Sequence, residues 1–222
     1  MNREPFAIGE IYHIYNRGTD KRNVFVDDND YRRLIKSLLF FNSKGAVDLR
    51  ALQESNTKVP PPEPEERLVS MLAYCLMPNH FHLLMREIEE NGITRFMRKL
   101  GTGYTMYFNA KHERNGVLFQ GQFKSVLVDR DPYFQYIPHY IHLNPLDLIM
   151  DWRNGKVDYK KARLFLDSYQ WSSYHYYVNG QSDPILDADT INQLYDLGEY
   201  KKDIFDWLKS AELENIKDVT ID

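Results

Sequence analysis

Two histidines, His80 and His82, stand one residue apart in the apolar run MPNHFHLLM at residues 77–85. Alternate residues of a β-strand point to the same face, so a strand here would place both imidazoles side by side and Phe81 on the other face. Two neutral imidazoles in this arrangement can converge on one divalent metal ion. A His-x-His pattern alone is a weak motif, and the alternative is that each histidine is hydrogen-bonded separately within the fold.

A second group of chemically capable residues lies in HYIHLNP at residues 139–145. On a helix Tyr140 and Asn144 are four residues apart and share a face. Asn144 can offer its side-chain carbonyl to a metal, and Tyr140 is placed to attack a group that the metal holds. His142 would point to the other side of the helix, and Tyr136 is interpreted as a core aromatic residue.

The elements that must position these groups follow from apolar periodicity and turn residues. We predict a strand and turn at residues 10–18, strands at 68–77 and 80–87, and a turn and strand at 116–129. We predict helices at residues 27–45 and 92–112, the second with a soft interruption at residues 101–103. This β-α-β-β-α-β order predicts an α+β fold, namely a ferredoxin-like split βαβ antiparallel sheet with helices on one face. We expect Asp131 and Pro132 to begin a further helix, and Pro138 to kink it or to start a fresh helix at His139.

The chain of 222 residues divides into a predicted catalytic domain at 1–149 and a largely helical, acidic C-terminal extension at 150–222. The catalytic part contains an exposed Pro-rich loop at 56–66. The net charge of −4 hides an uneven distribution, because residues 91–130 carry +5 and residues 181–222 carry −7. A basic middle region permits a polyanion site that the whole-chain charge conceals.

Cysteine content and hydropathy exclude several classes of protein. Cys75 is the single cysteine, which excludes a disulfide framework within the chain and a thiolate zinc cage. The sequence contains no uninterrupted apolar run of membrane-spanning length and no apolar segment typical of a signal peptide near its start. We therefore expect a cytoplasmic protein without a membrane partner.

Five segments together resemble the REP-associated tyrosine transposases, which belong to the HUH single-strand DNA endonucleases and are related to small single-tyrosine insertion-sequence transposases. The combination is specific, although each segment alone is not, and the resemblance covers about residues 5–180. The segments are YHIYNRG (12–18), MPNHFHLLM (77–85), LFQGQFKS (118–125), YIHLNP (140–145) and WSSY (171–174).

The resemblance implies a metal-dependent transposase that cleaves and rejoins single-stranded or hairpin DNA, including repetitive palindromes. It implies that His80 and His82 bind Mg²⁺ or Mn²⁺, with Asn144 as the matching third ligand. Tyr140 would be the nucleophile and would form a 5′-phosphotyrosine intermediate. Relatives act as monomers or homodimers, so the oligomeric state stays open.

Basic and amide side chains provide candidate DNA contacts, because phosphate contacts supply much of the affinity for DNA. They lie at the end of the first strand, on the basic helix and on the strand after it. The candidates are Asn16, Arg17, Arg95, Arg98, Lys99 and Lys124.

Three other functions remain compatible with these residues. The first is a replication initiator or relaxase-like nuclease that shares the metal site. The second is a DNA-binding relative that no longer cuts. The third is a zinc hydrolase that completes its site with a third histidine, His139 or His142, and forms no covalent DNA adduct.

Overall fold

The computed structural model describes residues 5–46, 62–129 and 133–210. Within these ranges, four strands form an antiparallel sheet with the order β2-β3-β1-β4. This is the order of a ferredoxin-like fold, so the predicted α+β class is confirmed. The strands are β1 (Ile11–Arg17), β2 (Val69–Met77), β3 (His80–Glu87) and β4 (Lys124–Leu127), and the first three helices are α1 (Asp28–Phe40), α2 (Gly92–Lys111) and α3 (Tyr133–Leu143).

The register between β1 and β3 decides which side chains share a face. Tyr15 pairs with His82 and Arg17 pairs with His80. Residues that are directly opposite in an antiparallel pair point to the same side of the sheet. Tyr15, Arg17 and, by alternation, His13 therefore share with the two motif histidines what we call the histidine face.

The opposite face of the sheet carries α1 and α2. Glu87, at the end of β3, accepts hydrogen bonds from the backbone N–H groups of Gly92 (2.9 Å) and Ile93 (2.8 Å) and so caps the N-terminus of α2. Helix α2 continues through the predicted interruption at residues 101–103. Gly103 is required there, since a Cβ at this position would lie 2.5 Å from the ring of Phe41.

Helix α3 packs on the histidine face against β2 and β3. It is a single helix from Tyr133 to Leu143 with Pro138 inside it, so the alternative of a fresh helix at His139 is wrong. Proline removes one backbone hydrogen bond, but residues 137–143 are buried and this packing favours the continuous helix. The predicted cap at Asp131 and Pro132 lies outside the described residues.

The segment at 116–129, predicted as a turn and a strand, contains the short strand β4. Only residues 124–127 pair with β1, while Phe119 makes an isolated bridge to Gly18. Gly116 and Gly121 adopt positive φ values of 83° and 69°, which bend the chain away from an extended ladder. The predicted Pro-rich loop at 56–66 lies largely outside the described residues, and residues 64–66 form one turn of 3-10 helix.

The residues after 150 pack on the sheet along the outer edge of β2. The backbone N–H of Leu76 donates to the carbonyl of Trp171 (2.9 Å), and that of Ser173 donates to the carbonyl of Tyr74 (3.0 Å). This covers a strand edge that would otherwise be open to pairing with another chain. The helices here are α4 (Tyr159–Ser168), α5 (Tyr174–Asn179), α6 (Ala188–Leu194) and α7 (Tyr200–Lys209). The proposed boundary at residue 149 stays a prediction.

Among the described residues, no helix combines the length and apolar character needed to cross a membrane.

Candidate active site

The two motif histidines lie side by side at the start of β3, as their spacing predicts. Their ring centroids are 5.0 Å apart and the rings are nearly perpendicular, at 83°. His82 is fully buried, and His80 is half-buried, with its Nδ1 2.6 Å from Oδ1 of Asn79. The imidazole of His82 is thus deep in the fold, and that of His80 is partly exposed to the solvent.

A third histidine, His13 on the neighbouring strand β1, contacts His82. Nε2 of His13 and Nδ1 of His82 are 2.8 Å apart, and the two rings stack with a centroid distance of 5.0 Å. Burial lowers the pKa of His13 to about 3. Burial also holds the pKa of His82 well below its ordinary value, and the nearby guanidinium of Arg153 acts in the same direction. Both buried rings are therefore neutral near pH 7.

Tyr140 lies in the same pocket and not in a separate part of the core. Its ring contacts His82 and His13 edge-on, with centroid distances of 5.5 Å and 5.9 Å. Only 1% of the residue is exposed. A DNA strand can reach the phenol oxygen only after neighbouring side chains move. Arg153, whose side chain is 23% exposed, lies over the same ring at 5.1 Å from its centre.

Asn144 begins the 3-10 helix that follows α3, one turn after Tyr140. Its Nδ2 donates to the backbone carbonyl of Tyr140 (2.7 Å), and its Oδ1 accepts from Nη2 of Arg153 (3.0 Å). The Asn144 side chain lies near His82 and acts to raise the pKa of that imidazole. The structure therefore brings His80, His82, Asn144 and Tyr140 together from two distant segments of the chain.

The residues in this pocket fit a divalent cation. Nε2 of His82 is buried and makes no hydrogen bond to any described residue. A buried nitrogen without a partner is costly unless something outside the protein satisfies it. The described residues contain no cluster of three or more His, Cys, Asp or Glu side chains able to hold a metal ion. A site here would consequently need the amide oxygen of Asn144 together with the two imidazoles.

His139 and His142, the candidates for a third zinc ligand, lie away from the pair. His142 is 2.6 Å from the Tyr200 hydroxyl through Nδ1 and 2.7 Å from the Ser173 hydroxyl through Nε2, so both ring nitrogens have partners. His139 packs against the ring of Tyr200, at a centroid distance of 4.7 Å. His142 thus fixes helix α3 to the C-terminal region, and this arrangement argues against a three-histidine zinc site.

Two of the predicted DNA contacts lie on the histidine face. Arg17 pairs with His80 across the sheet, at the end of β1. Lys124 pairs with Tyr15, and its ammonium group lies 5.9 Å from the Tyr15 ring. These two cations flank the candidate site on the side of β1 and β4.

The other predicted contacts lie on the opposite face. Asn16 lines a cavity of about 810 Å³ between α2 and residues 116–123, and Arg98 lies at the same cavity. Arg95 forms an ion pair with Glu89. Lys99 donates to the backbone carbonyls of Ser43 and Gly45 at the end of α1, which commits it to the fold. The structure therefore divides the predicted DNA contacts between the two faces.

Two residues of the pocket, His13 and Arg153, were not predicted from the sequence. His13 belongs to the segment YHIYNRG and alternates with Tyr15 and Arg17, so strand periodicity could have placed it on a shared face. Arg153 lies in a short 3-10 turn, Trp152–Asn154, where no periodic pattern indicates its direction.

Comparison with known proteins connects this geometry with a family. Residues 64–144, which include β2, β3 and the segment from Tyr140 to Asn144, match the model of the family described as IS200-like transposases. This segment of the chain is thus similar to the IS200-like transposases. The resemblance inferred from the motifs is thereby confirmed, and it indicates a transposase or DNA endonuclease.

A solved structure, described as a REP-associated tyrosine transposase bound to a REP hairpin, has a similar fold. The TM-score is 0.51, the sequence identity is 14%, and the alignment covers 89% of this chain and 88% of that chain. At this identity the comparison shows a shared fold alone. No curated protein matches the chain.

Proposed function

We propose that this transposase relative cleaves and rejoins single-stranded or hairpin DNA by covalent catalysis through Tyr140. The observation that carries the proposal is the contact of the Tyr140 ring with His82, at 5.5 Å between centroids, beside a buried imidazole nitrogen that lacks a partner. A nucleophile, two imidazoles and an amide oxygen then form one pocket. The solved structure with a similar fold, described as bound to a REP hairpin, supports hairpin DNA as the substrate class.

The proposed chemistry is a transfer of one phosphoryl linkage. The Tyr140 oxygen forms a bond to phosphorus, and the bond from that phosphorus to the 3′ oxygen of the preceding nucleotide breaks. The phenol loses one proton and the departing 3′ oxygen gains one, so the step is balanced without a nucleotide cofactor. The product is a 5′-phosphotyrosine linkage and a free 3′-OH. Attack by another 3′-OH on this linkage reverses the step and joins the strands.

His80, His82 and Asn144 would hold the Mg²⁺ or Mn²⁺ ion. When bound, a divalent ion neutralises charge on the phosphate and orients it for attack. Imidazole ligands suit Mn²⁺ better than Mg²⁺, which prefers oxygen ligands and its own waters.

His13 fixes the tautomer of His82 in this proposal. Nε2 of His82 can bind a metal only when the ring proton is on Nδ1, and His13 Nε2 lies 2.8 Å away to accept that proton in a hydrogen bond. His13 then carries its own proton on Nδ1, which is buried and makes no hydrogen bond to the described residues. A hydrogen bond of this kind to a metal-binding imidazole orients the ring and raises its basicity.

The proposal is tested by incubating the protein with end-labelled hairpin DNA and Mn²⁺ and separating the products on a denaturing protein gel. We expect a labelled band at the mass of the protein plus DNA, which disappears with protease and with EDTA. Tyr140→Phe should remove the band. Tyr136→Phe, four residues earlier on the same helix, is the matched control and should keep it.

The alternatives give different results in this experiment. A DNA-binding relative without catalysis would shift the DNA on a native gel but give no covalent band. A replication initiator would form the adduct too. It would differ from a transposase in its preferred substrate, which would be a nicking site in a supercoiled origin and not a dispersed palindrome. A zinc hydrolase would release cut DNA without an adduct.

A further inference from the structure

We infer that Arg153 is a positioning residue that holds the phenol of Tyr140 and the amide of Asn144 in one fixed arrangement. The inference rests on the proposed function, and it concerns a residue that lies outside every motif that carries the family resemblance. Arg153 is the point at which the nucleophile, the third proposed ligand and the carboxylate of Asp147 meet.

The contacts of the guanidinium group define this role. Nη2 of Arg153 donates to Oδ1 of Asn144 at 3.0 Å. The group also stands over the ring of Tyr140, 5.1 Å from its centre. One planar cation therefore links two side chains that lie four residues apart on consecutive turns.

Asp147 holds the guanidinium in place. Nη2 of Arg153 donates to Oδ2 of Asp147 at 2.8 Å, and Nε donates to Oδ1 at 3.2 Å. The indole N–H of Trp152 donates to the same carboxylate, and the guanidinium lies 4.7 Å from the Trp152 ring. A planar group with a fork of donors, anchored by a carboxylate and an aromatic ring, has one orientation, which lysine cannot reproduce.

The arrangement sets the direction of the Asn144 amide. Its Nδ2 donates to the carbonyl of Tyr140 at 2.7 Å, so its Oδ1 must be the atom that accepts from Arg153. A carbonyl oxygen has two lone pairs, and one of them remains for a cation. Arg153 thus keeps the ligating oxygen available, and it places a fixed positive charge beside the Tyr140 side chain, whose oxygen is negative once the phenol has given up its proton.

A first experiment tests the contact without relying on activity. The protein is labelled with tyrosine carrying ¹³C at Cζ, and the signal of Tyr140 is assigned by its loss in Tyr140→Phe. We expect the Tyr140 signal to shift in Arg153→Ala and to return when methylguanidinium is added, while methylammonium does not restore it. An unchanged signal in Arg153→Ala would overturn the inference, because the guanidinium would then not touch the phenol.

A second experiment measures single-turnover formation of the covalent DNA adduct. Arg153→Ala should slow it about 100-fold, in line with the cost of misplacing reacting groups by about an ångström. Hairpin DNA affinity should stay within about twofold, because positioning acts on the chemical step and not on binding. Methylguanidinium should restore part of the rate, and Arg153→Lys should fall between Arg153→Ala and the wild type.

The matched control is Lys156→Gln, which removes an exposed cation from the same segment, where it pairs with Asp151 at 3.3 Å. It should leave both the NMR signal and the rate unchanged. If the wild type forms an adduct but Arg153→Ala forms it equally fast, the inference alone fails. If Arg153→Ala loses rate and DNA affinity in proportion to its folded fraction, and methylguanidinium restores neither, the residue is merely structural and the inference is wrong. If the wild type forms no adduct, the proposed function fails, and the assignment of Arg153 to a nucleophile fails with it.

Discussion

The two faces of the central sheet differ in how they satisfy buried polar groups. Along β3, Glu87 on the opposite face uses both carboxylate oxygens to cap α2. On the histidine face, Nε2 of His82 is buried and has no hydrogen-bond partner among the described residues. Other buried atoms, such as Ser37 Oγ on α1, also lack a partner, but the one on His82 lies beside Asn144 and Tyr140. Unsatisfied buried groups are a feature of ligand and catalytic sites, so we expect the opposite face of β3 to serve stability and the histidine face to serve the proposed function.

The largest expected effect is the loss of catalysis when the histidine face of β3 is changed. We expect His82→Ala to slow formation of the covalent adduct by at least about 100-fold, because it removes a proposed metal ligand. Even residues that only support a metal ligand contribute about 10–100-fold to metal affinity or activity. Adduct formation on labelled hairpin DNA is the measurement. A variant that kept the wild-type rate would remove His82 from the site.

The neighbouring residue on the opposite face should behave in the reverse way. Leu83 is fully buried, and Leu83→Ala should lower the free energy of unfolding by about 2–5 kcal/mol, measured by urea denaturation. Its adduct rate per folded molecule should match the wild type. A large loss of rate in fully folded Leu83→Ala would mean that the two faces are not functionally separate.

The support that His13 gives to His82 should be measurable as metal affinity. In a Tyr140→Phe background with bound hairpin DNA, we expect His13→Phe to weaken Mn²⁺ binding by about 10–100-fold. His13→Gln should weaken it less, since its amide oxygen can still accept the proton of His82 Nδ1. Titration of Mn²⁺ followed by electron paramagnetic resonance gives both values, and equal affinity of His13→Phe and the wild type would contradict the proposed tautomer.

Burial of the neutral His139 side chain on helix α3 should also make the fold acid-sensitive. Burial lowers the pKa of His139 to about 3. The unfolded chain, with a histidine pKa near 6.5, then binds one more proton than the folded chain between about pH 3 and pH 6.5. Stability is therefore complete above this window and falls as the pH decreases through it.

This acid sensitivity is tested by urea denaturation between pH 4 and pH 7. His139→Phe should reduce the slope of unfolding free energy against pH by about 1.4 kcal/mol per pH unit in the middle of the window. Tyr136→Phe, a neighbouring aromatic change without this proton uptake, should leave the slope as in the wild type. A slope unchanged by His139→Phe would show that the imidazole is charged in the fold.

The smallest effects concern cations that contact DNA. Arg17→Gln and Lys124→Gln on the histidine face should each weaken hairpin binding a few-fold and reduce the salt slope of log affinity by about 1. Arg98→Gln on the opposite face is the matched comparison and should change neither quantity. Fluorescence anisotropy at several salt concentrations decides this, and a stronger effect of Arg98→Gln would place the DNA on the opposite face.

The fold was largely predictable because its signals are local. The strand at residues 80–87 matches the structure residue by residue, because alternation and the Pro-Asn turn specify both of its ends. The prediction of a turn and a strand at 116–129 did not specify where the strand begins, and the structure confines it to residues 124–127, after the positive φ of Gly121. Pro138 indicated a helix break that tertiary packing overrides.

The site was predictable only where its residues share one element. His80 and His82 lie on one strand, and Tyr140 and Asn144 are one helical turn apart. His13 joins them through the pairing register of β1 with β3, which one sequence does not determine. Arg153 reaches the pocket from a short 3-10 turn, where no periodic sequence pattern predicts the direction of a side chain.

The most direct test of the central claim is to identify the residue that carries the DNA. The adduct formed with hairpin DNA and Mn²⁺ is digested with nuclease and trypsin, and the modified peptide is sequenced by mass spectrometry. The account predicts a nucleotide 5′-phosphate on the side-chain oxygen of Tyr140. A nucleotide on Tyr136 or on any other residue, with Tyr140 unmodified, would contradict it.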